Sequence, residues 1–464
     1  MVLSNRGPLS FGRDASGSLV ARRGAGGLVV TLGPGVLRDQ ALWIAAVTGD
    51  DDIEAAREGL LDADGYHMAA VPVEPSVYGR YYDVIANQTL WFLLHGLWDL
   101  PRRPRFDRHW GAAWESFRSV NAMFAAEAAR RSGDGAIVLV QDYQLALVPA
   151  MLAELRPDVR IVSFMHTPWC TPQELSVLPD AVADELITSM AGADACGFHS
   201  LRWASAFEAC CADRLGSAPD ATPRTFVAPA APDAHDIANV AASPQCAEEL
   251  RRLDDVVGDR LLLVRVDRME LSKNILRGFW AFDELLEGRP DLRGRVIFSA
   301  QVYPSRQGVA EYLAYGQEVL ALAARLNAKW GGSAAGGPTG STWTPVLIDA
   351  EDNYAASVAA LRRADVLLVN PVRDGLNLVA KEGSLINERD GILVLSRGAG
   401  VWDELSAHAV GVNPFDIAGT AEALARALDM DAGERASRAK GLRAAAAERT
   451  PLDWFDDLLA AAGP

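Results

Sequence analysis

The sequence lacks what would tie it to a membrane, a nucleic acid or an oxidising compartment. No apolar run approaches the roughly 20 residues needed to cross a bilayer, and "MVLSNRGP" reads as a strand entering a turn rather than a secretory leader. The five cysteines (170, 196, 210, 211 and 246) are odd in number and scattered, with no C-x-x-C. That argues against a disulfide framework and fits a reducing cytoplasm. Cations are short: 44 Lys and Arg face 61 Asp and Glu, a net charge of −17. This speaks against nucleic acid or an anionic membrane as partner. An anionic small substrate would need a local basic cluster within the acidic body. There is no His/Cys set with metal spacing, no G-x-S-x-G elbow and no Walker-type phosphate loop. "GDDD" (49–52) reads as a helix cap with an acidic first turn rather than a metal-holding pair.

What is present is a large apolar content, half of 464 residues, enough for two or three domains. Short apolar runs recur: "LWIAAV" (42–47), "AIVLV" (136–140), "RIVSFM" (160–165), "LLLVRV" (261–266), "RVIFSA" (295–300), "DVLLVN" (365–370) and "GILVLS" (391–396). Helical patterns such as "EYLAYGQEVLALAARL" (311–326) and "ASVAALRRA" (356–364) separate them. Strands without polar alternation, divided by helices, predict buried parallel sheets in an α/β fold. The Ala/Pro/Ser-rich stretch 215–245 reads as a linker between two sets of such units, and "GGSAAGGPTGS" (331–341) as a flexible surface loop. The expectation is two doubly wound, Rossmann-like domains facing a central cleft.

Ligands of open α/β sheets bind beyond the carboxyl ends of strands, so the residues that follow each strand are the candidates. Arg6 follows the first strand, and the Gly-rich "GAGGLVVTL" (24–32) comes soon after, where turn glycines let backbone N–H groups approach a phosphate. Asp142 and His166 end two neighbouring strands. Their ordinary readings are a helix N-cap and a satisfied, partly buried histidine, but two polar strand-end residues together suit a shared site. Arg268 and Lys273 lie before a helix, a pairing that suits a diphosphate, with solvated surface charge as the ordinary alternative. Arg306 repeats the pattern. In "DVLLVNPVRDGLNLVAKEG", Asn377 reads as an N-cap, while Asp374 and Glu382 bracket the first helical turns. The only cations near that carboxylate in the local sequence are Arg373 and Lys381.

With these residues in place, the chain resembles the trehalose-6-phosphate synthase family of retaining nucleotide-sugar glycosyltransferases. The motifs that carry the likeness run in order along nearly the whole chain: "SNRGP", "GAGGL", "YYDVIANQTLW", "QDYQL", "FMHTPW", "GFHS", "DRMELSKN", "PSRQGVAEY", "WTPV" and "RDGLNLVAKE". The resemblance implies a GT-B fold: an acceptor-binding domain over 1–232, a nucleotide-sugar domain over 233–448, and a C-terminal helix in 449–464 packing back on the first domain. It implies that Arg6, Tyr82, Trp91 and Arg306 hold the phosphate and ring of an acceptor such as glucose 6-phosphate, with Asp142 on acceptor hydroxyls. On the donor side it implies Gly27 against the diphosphate, His166 near the sugar 6-hydroxyl and Asp374 on the sugar hydroxyls. The backbone of Asn377, Leu378 and Val379 would line the pocket, and Glu382 would take the ribose. Arg268 and Lys273 would bind the diphosphate and stabilise the charge that builds on it. No metal and no cofactor is implied beyond a UDP- or GDP-linked glucose as co-substrate. A homo-oligomer is compatible with the sequence, which leaves the oligomeric state open.

Several positions depart from the family pattern. Gln141 and Gln144 replace usual histidines, "MELSKN" replaces Leu-Asp-Tyr-Ser-Lys-Gly, and "WIAAVTG" lacks a second tryptophan near the acceptor. "SLINERDG" is more like related pseudo-glycosyltransferases that join cyclitols through nitrogen. The alternatives are therefore a relative with another sugar-phosphate or cyclitol-phosphate partner, or a non-catalytic sugar-phosphate-binding homologue.

Overall fold

The computed structural model describes residues 1–24, 27–216, 223–333 and 342–463. Ala25 and Gly26 of the Gly-rich stretch, and 334–341 of the "GGSAAGGPTGS" loop, lie outside these residues. The chain divides into two compact units, Met1–Ala230 with Pro451–Pro464, and Ala231–Thr450.

The first unit is built on strands β1 (Val2–Ser4), β4 (Leu42–Val47), β5 (His67–Pro72), β6 (Ile137–Gln141), β7 (Arg160–Met165), β8 (Ala195–Phe198) and β9 (Arg224–Val227), with a hairpin of β2 (Leu9–Arg13) and β3 (Leu19–Arg23) outside the sheet. The sheet order is β5-β4-β1-β6-β7-β8-β9, and its neighbours pair in parallel. The chain leaves β1 in one direction and returns past it to β6. The gap between β1 and β6 is therefore the topological switch point, where crossovers on opposite faces diverge and leave a crevice. Asn5–Arg6 and Gln141–Asp142 flank it. The helix Pro451–Ala461 closes this unit. Its Phe455 ring fills the place where a Cβ on Gly35 would sit, and Trp454 meets Phe164 edge-on at 5.1 Å.

The second unit repeats the plan with β10 (Leu261–Arg268), β11 (Val296–Tyr303), β14 (Val346–Asp349), β15 (Val366–Val369), β16 (Ile392–Ser396) and β17 (Val410–Val412), ordered β14-β11-β10-β15-β16-β17. A two-stranded ribbon of β12 (Gly332–Ser333) and β13 (Thr342–Trp343) lies apart. The switch point here falls between β10 and β15. Strands β15 and β16 are buried along their whole length, which is why they read as unbroken apolar runs.

The 215–245 stretch is not simply a linker. Arg224–Val227 forms the edge strand β9. Residues Ala234–Ala241 form a helix, capped by the Asp233 carboxylate on the His235 and Asp236 N–H groups. Ile237 of that helix joins Cys246, Ala355, Val358 and Ala359 in a buried cluster. Its Ala/Pro-rich composition hid a capped amphipathic helix.

Candidate active site

In the second unit the loops after β10 and β15 are laced together. Val372 N–H donates to Ser272 O at 2.8 Å. Asn274 Nδ2 donates to Asn370 O at 2.9 Å, and Asn370 Nδ2 returns a bond to Asn274 O at 3.3 Å. Asn274 has φ of 60°, a left-handed conformation that glycine adopts freely and asparagine best among the other residues. Here the side chain adds a further bond to Pro414 O at 2.7 Å. The asparagine that replaces the usual glycine in "SKN" is thus accommodated and used.

This lacing brings Lys273 to Asp374 across 101 residues of sequence, with Nζ to Oδ2 at 2.7 Å. Asn377 Nδ2 donates to the same oxygen at 3.2 Å. Burial works against the Lys273 ammonium, but Asp374, Asp267 and Glu270 outweigh it and raise the pKa. The lysine is a secured cation. The local sequence suggested Arg373 and Lys381 as cations for Asp374; Lys381 instead turns away to Glu404, Nζ to Oε2 at 2.7 Å. Asn377 does cap the helix Leu378–Ile386, accepting from Ala380 N–H at 3.2 Å. Leu378 and Val379 form its first turn, where backbone N–H groups have no intrahelical acceptor. Glu382 sits one turn on. Burial, aided by Asp236, pushes its carboxyl up to about 7.

Three residues at this site were missed in the sequence. Glu270 is fully buried. Its Oε1 lies 3.3 Å from Arg268 Nε and 3.0 Å from Arg306 Nη1, and accepts from Ser305 Oγ at 2.9 Å. Burial would raise its pKa, but Arg268, Arg306 and Lys273 more than reverse that and hold it at about 2. One carboxylate thus orients both arginines, and its backbone carbonyl accepts the Lys273 N–H at 3.0 Å. Arg265 and Asp267 form a second buried pair at 2.7 Å, and Arg265 Nη2 also holds Lys273 O at 2.9 Å. The signal was there: charges interrupting the apolar strand "LLLVRVDR" had to be paired if the strand was buried.

In the first unit, Asn5 pins the turn after β1. Its Nδ2 donates to Tyr78 Oη and its Oδ1 accepts from Tyr81 Oη, both at 3.0 Å. Tyr82, from the π-helical stretch Arg80–Leu90, stacks on Tyr78 at 5.3 Å, and the Arg6 guanidinium lies 5.6 Å over the Tyr82 ring. Trp91 is buried and stacks on His95 at 3.8 Å. Gly27 opens the helix Gly27–Arg38.

Asp142 stands at the N-cap position of the turn Tyr143–Leu145, but its side chain makes no capping bond there. Its Oδ1 accepts the His166 N–H at 3.2 Å, and its backbone has φ 69° and ψ 170°, a region nearly confined to glycine. His166 meets Gln141 Oε1 through Nε2 at 2.9 Å and His199 through Nδ1 at 3.2 Å. Burial pushes its pKa down to about 3, so the ring is neutral. The expected acceptor residues divide between the units: Arg6, Tyr82, Trp91 and Asp142 belong to the first, Arg306 to the second. "GDDD" is indeed a helix start, Asp50–Glu58, and among the described residues no group of His, Cys, Asp and Glu is placed to hold a metal ion.

Two Rossmann-like parallel-sheet units with cations and carboxylates at their switch points are the architecture expected of a GT-B glycosyltransferase. A family model for glycosyltransferase family 20 matches residues 1–462, and the chain belongs to that family. The trehalose-6-phosphate synthase of Mycolicibacterium gilvum is 34% identical over 476 residues, covering 96% of this chain and 89% of that protein. The bifunctional trehalose-6-phosphate synthase/phosphatase of Thermoproteus tenax is 29% identical, covering 99% of this chain, which spans only 62% of that longer protein. Among solved structures, the E. coli trehalose-6-phosphate structure bound with UDP-2-fluoro glucose matches with a TM-score of 0.84 and 27% identity, over 100% of this chain and 98% of that one. The Burkholderia xenovorans α,α-trehalose-phosphate synthase in complex with glucose-6-phosphate matches with a TM-score of 0.83 and 26% identity, over 100% and 99%.

Proposed function

We propose that the protein transfers glucose from a nucleotide-glucose to glucose 6-phosphate with retention, giving α,α-trehalose 6-phosphate. The observation that carries this is the cluster at the switch point of the second unit. Arg268 and Lys273 are held by carboxylates beside the first turn of the helix Leu378–Ile386. It is the local basic cluster that an acidic protein needs for an anionic donor. In this reading Arg268 and Lys273 bind the diphosphate and stabilise the charge that develops as it leaves. Asp374 and the Asn377–Val379 backbone hold the sugar, His166 and Gly27 contact the donor, and Glu382 takes the ribose. Arg6, Tyr82, Trp91, Asp142 and Arg306 hold the acceptor. The departing phosphate oxygen takes the acceptor proton, so no covalent enzyme nucleophile is required. All five cysteines are buried as thiols rather than joined in disulfides, which suits a reducing cytoplasm.

The test is direct. UDP-glucose and GDP-glucose are each incubated with glucose 6-phosphate, and a phosphodisaccharide is sought by mass spectrometry. Nucleotide binding without product from either donor would refute the assignment. Arg268→Ala should lower turnover by about 10²–10³-fold, the usual cost of losing one preorganised charge stabiliser.

A further inference from the structure

The hydrogen bonds around His166 have only one consistent direction. Ala230 donates its N–H to His199 Nδ1 at 3.3 Å. A ring nitrogen that accepts an N–H carries no proton, so a neutral His199 keeps its proton on Nε2. That nitrogen lies 3.2 Å from His166 Nδ1, which must accept. His166 then carries its own proton on Nε2, 2.9 Å from Gln141 Oε1, an oxygen that can only accept. The reverse order would set His199 Nδ1–H against the Ala230 N–H, two donors facing each other. The amide of Gln141 is oriented by the same logic, since turning it would point its NH₂ at His166 Nε2–H.

We infer that His199 is a positioning residue that fixes His166 as the Nε2–H tautomer, with Gln141 Oε1 accepting the hydrogen bond from that N–H. Around the His166 ring stand Phe164 and Trp454, at 5.1 and 5.6 Å between centroids. The carboxylate of Asp142 accepts the His166 backbone N–H, and burial holds the His166 ring neutral. The consequence for the transfer, which rests on the function proposed above, is that His166 can only donate from its Nε2 edge. A substrate oxygen set there is received as an acceptor, and His166 is excluded as the base that takes the acceptor's proton.

The chain holds only seven histidines, so long-range ¹H–¹⁵N correlation spectra of ¹⁵N-histidine-labelled full-length protein are tractable, with His166→Asn and His199→Asn giving the assignments. Both rings should show a pyrrole-type Nε2 and a pyridine-type Nδ1. A pyrrole-type Nδ1 on His166 would overturn the inference, and this reading needs no substrate. His199→Gln still offers an N–H to His166 Nδ1, whereas His199→Leu does not. His199→Gln should therefore preserve the His166 signature and keep about tenfold or more of the turnover that His199→Leu loses. Equal loss in both variants would refute the positioning role. Should no variant, nor the parent, make the phosphodisaccharide while the tautomers are as described, the proposed function fails and the tautomer assignment stands.

Discussion

Asp142 occupies a backbone conformation that a residue with a Cβ rarely takes, at φ 69° and ψ 170°. Holding a non-glycine residue there costs about 1–3 kcal/mol, met by the surrounding fold. Asp142 N–H donates to Phe164 O at 2.8 Å and Leu145 N–H to Asp142 O at 3.2 Å, so the turn is clamped on both sides. Comparing Asp142→Ala with Asp142→Gly isolates the strain, because both remove the same carboxylate and its bond to His166. At an ordinary position the glycine variant is the weaker by about 0.5–1 kcal/mol, through its greater freedom when unfolded. At residue 142 the strain term has the opposite sign and is larger, so Asp142→Gly should be the more stable by about 1 kcal/mol. Calorimetry should place its transition a few degrees above that of Asp142→Ala, in the transition assigned to the first unit. An alanine variant as stable as the glycine one would show that the conformation is not strained.

Three further outcomes follow from the second unit. The folded-state pKa of Glu270 is depressed to about 2 from an ordinary 4.5, so its contribution is present above pH 4.5 and lost as pH falls towards 2. The stability gap between the parent and Glu270→Gln should be about 3 kcal/mol at pH 6 and close at low pH; a gap that does not vary with pH would refute it. Glu382 is raised to about 7, so if its carboxylate takes the ribose hydroxyls, nucleotide affinity should tighten about tenfold from pH 6 to pH 8 as the competent form fills. Titration calorimetry should find Glu382→Gln flat over that range relative to the parent. Asn387 donates to Leu361 O and Ala364 O and accepts from the Arg389 and Gly391 N–H groups. Asn387→Ala should cost about 2–4 kcal/mol in denaturation yet leave substrate preference unchanged in the product assay.

The parallel strands were legible because burial on both faces leaves an unbroken apolar run: "LWIAAV" and "RIVSFM" match β4 and β7 residue for residue. The strands β5 "HMAAVP" and β8 "ACGF" escaped notice, since alanine, glycine and proline carry little β signal. At the site, each strand-end residue could be nominated singly, but its partner could not. The pairing of Lys273 with Asp374 depends on which two strands adjoin at the switch point, a property of sheet order rather than of any local stretch. Glu270 was passed over for the same reason: its chemistry comes from Arg306, 36 residues away, and nothing in "RMELSK" requires a buried acid.

The departures from the family pattern differ in kind, and their places on the sheets separate them. "SLINERDG" was the stretch that most suggested an unusual acceptor. It runs from the helix Leu378–Ile386 into the amino end of β16, where Asn387 stitches backbone groups together. Asp374 lies at the opposite, carboxyl end of this sheet. Asn387 therefore has a structural role at the end of the sheet away from Asp374. Gln141 is the reverse case. It ends β6 beside Asp142 at the switch point of the first unit, with its amide oxygen on His166 Nε2. A histidine there could meet that N–H only through a bare ring nitrogen, and would hold a proton of its own elsewhere on the ring. Glutamine accepts without titrating. Gln141 touches a residue expected to meet the sugar, so any shift in substrate preference should trace to residue 141 before it traces to residues 384–391.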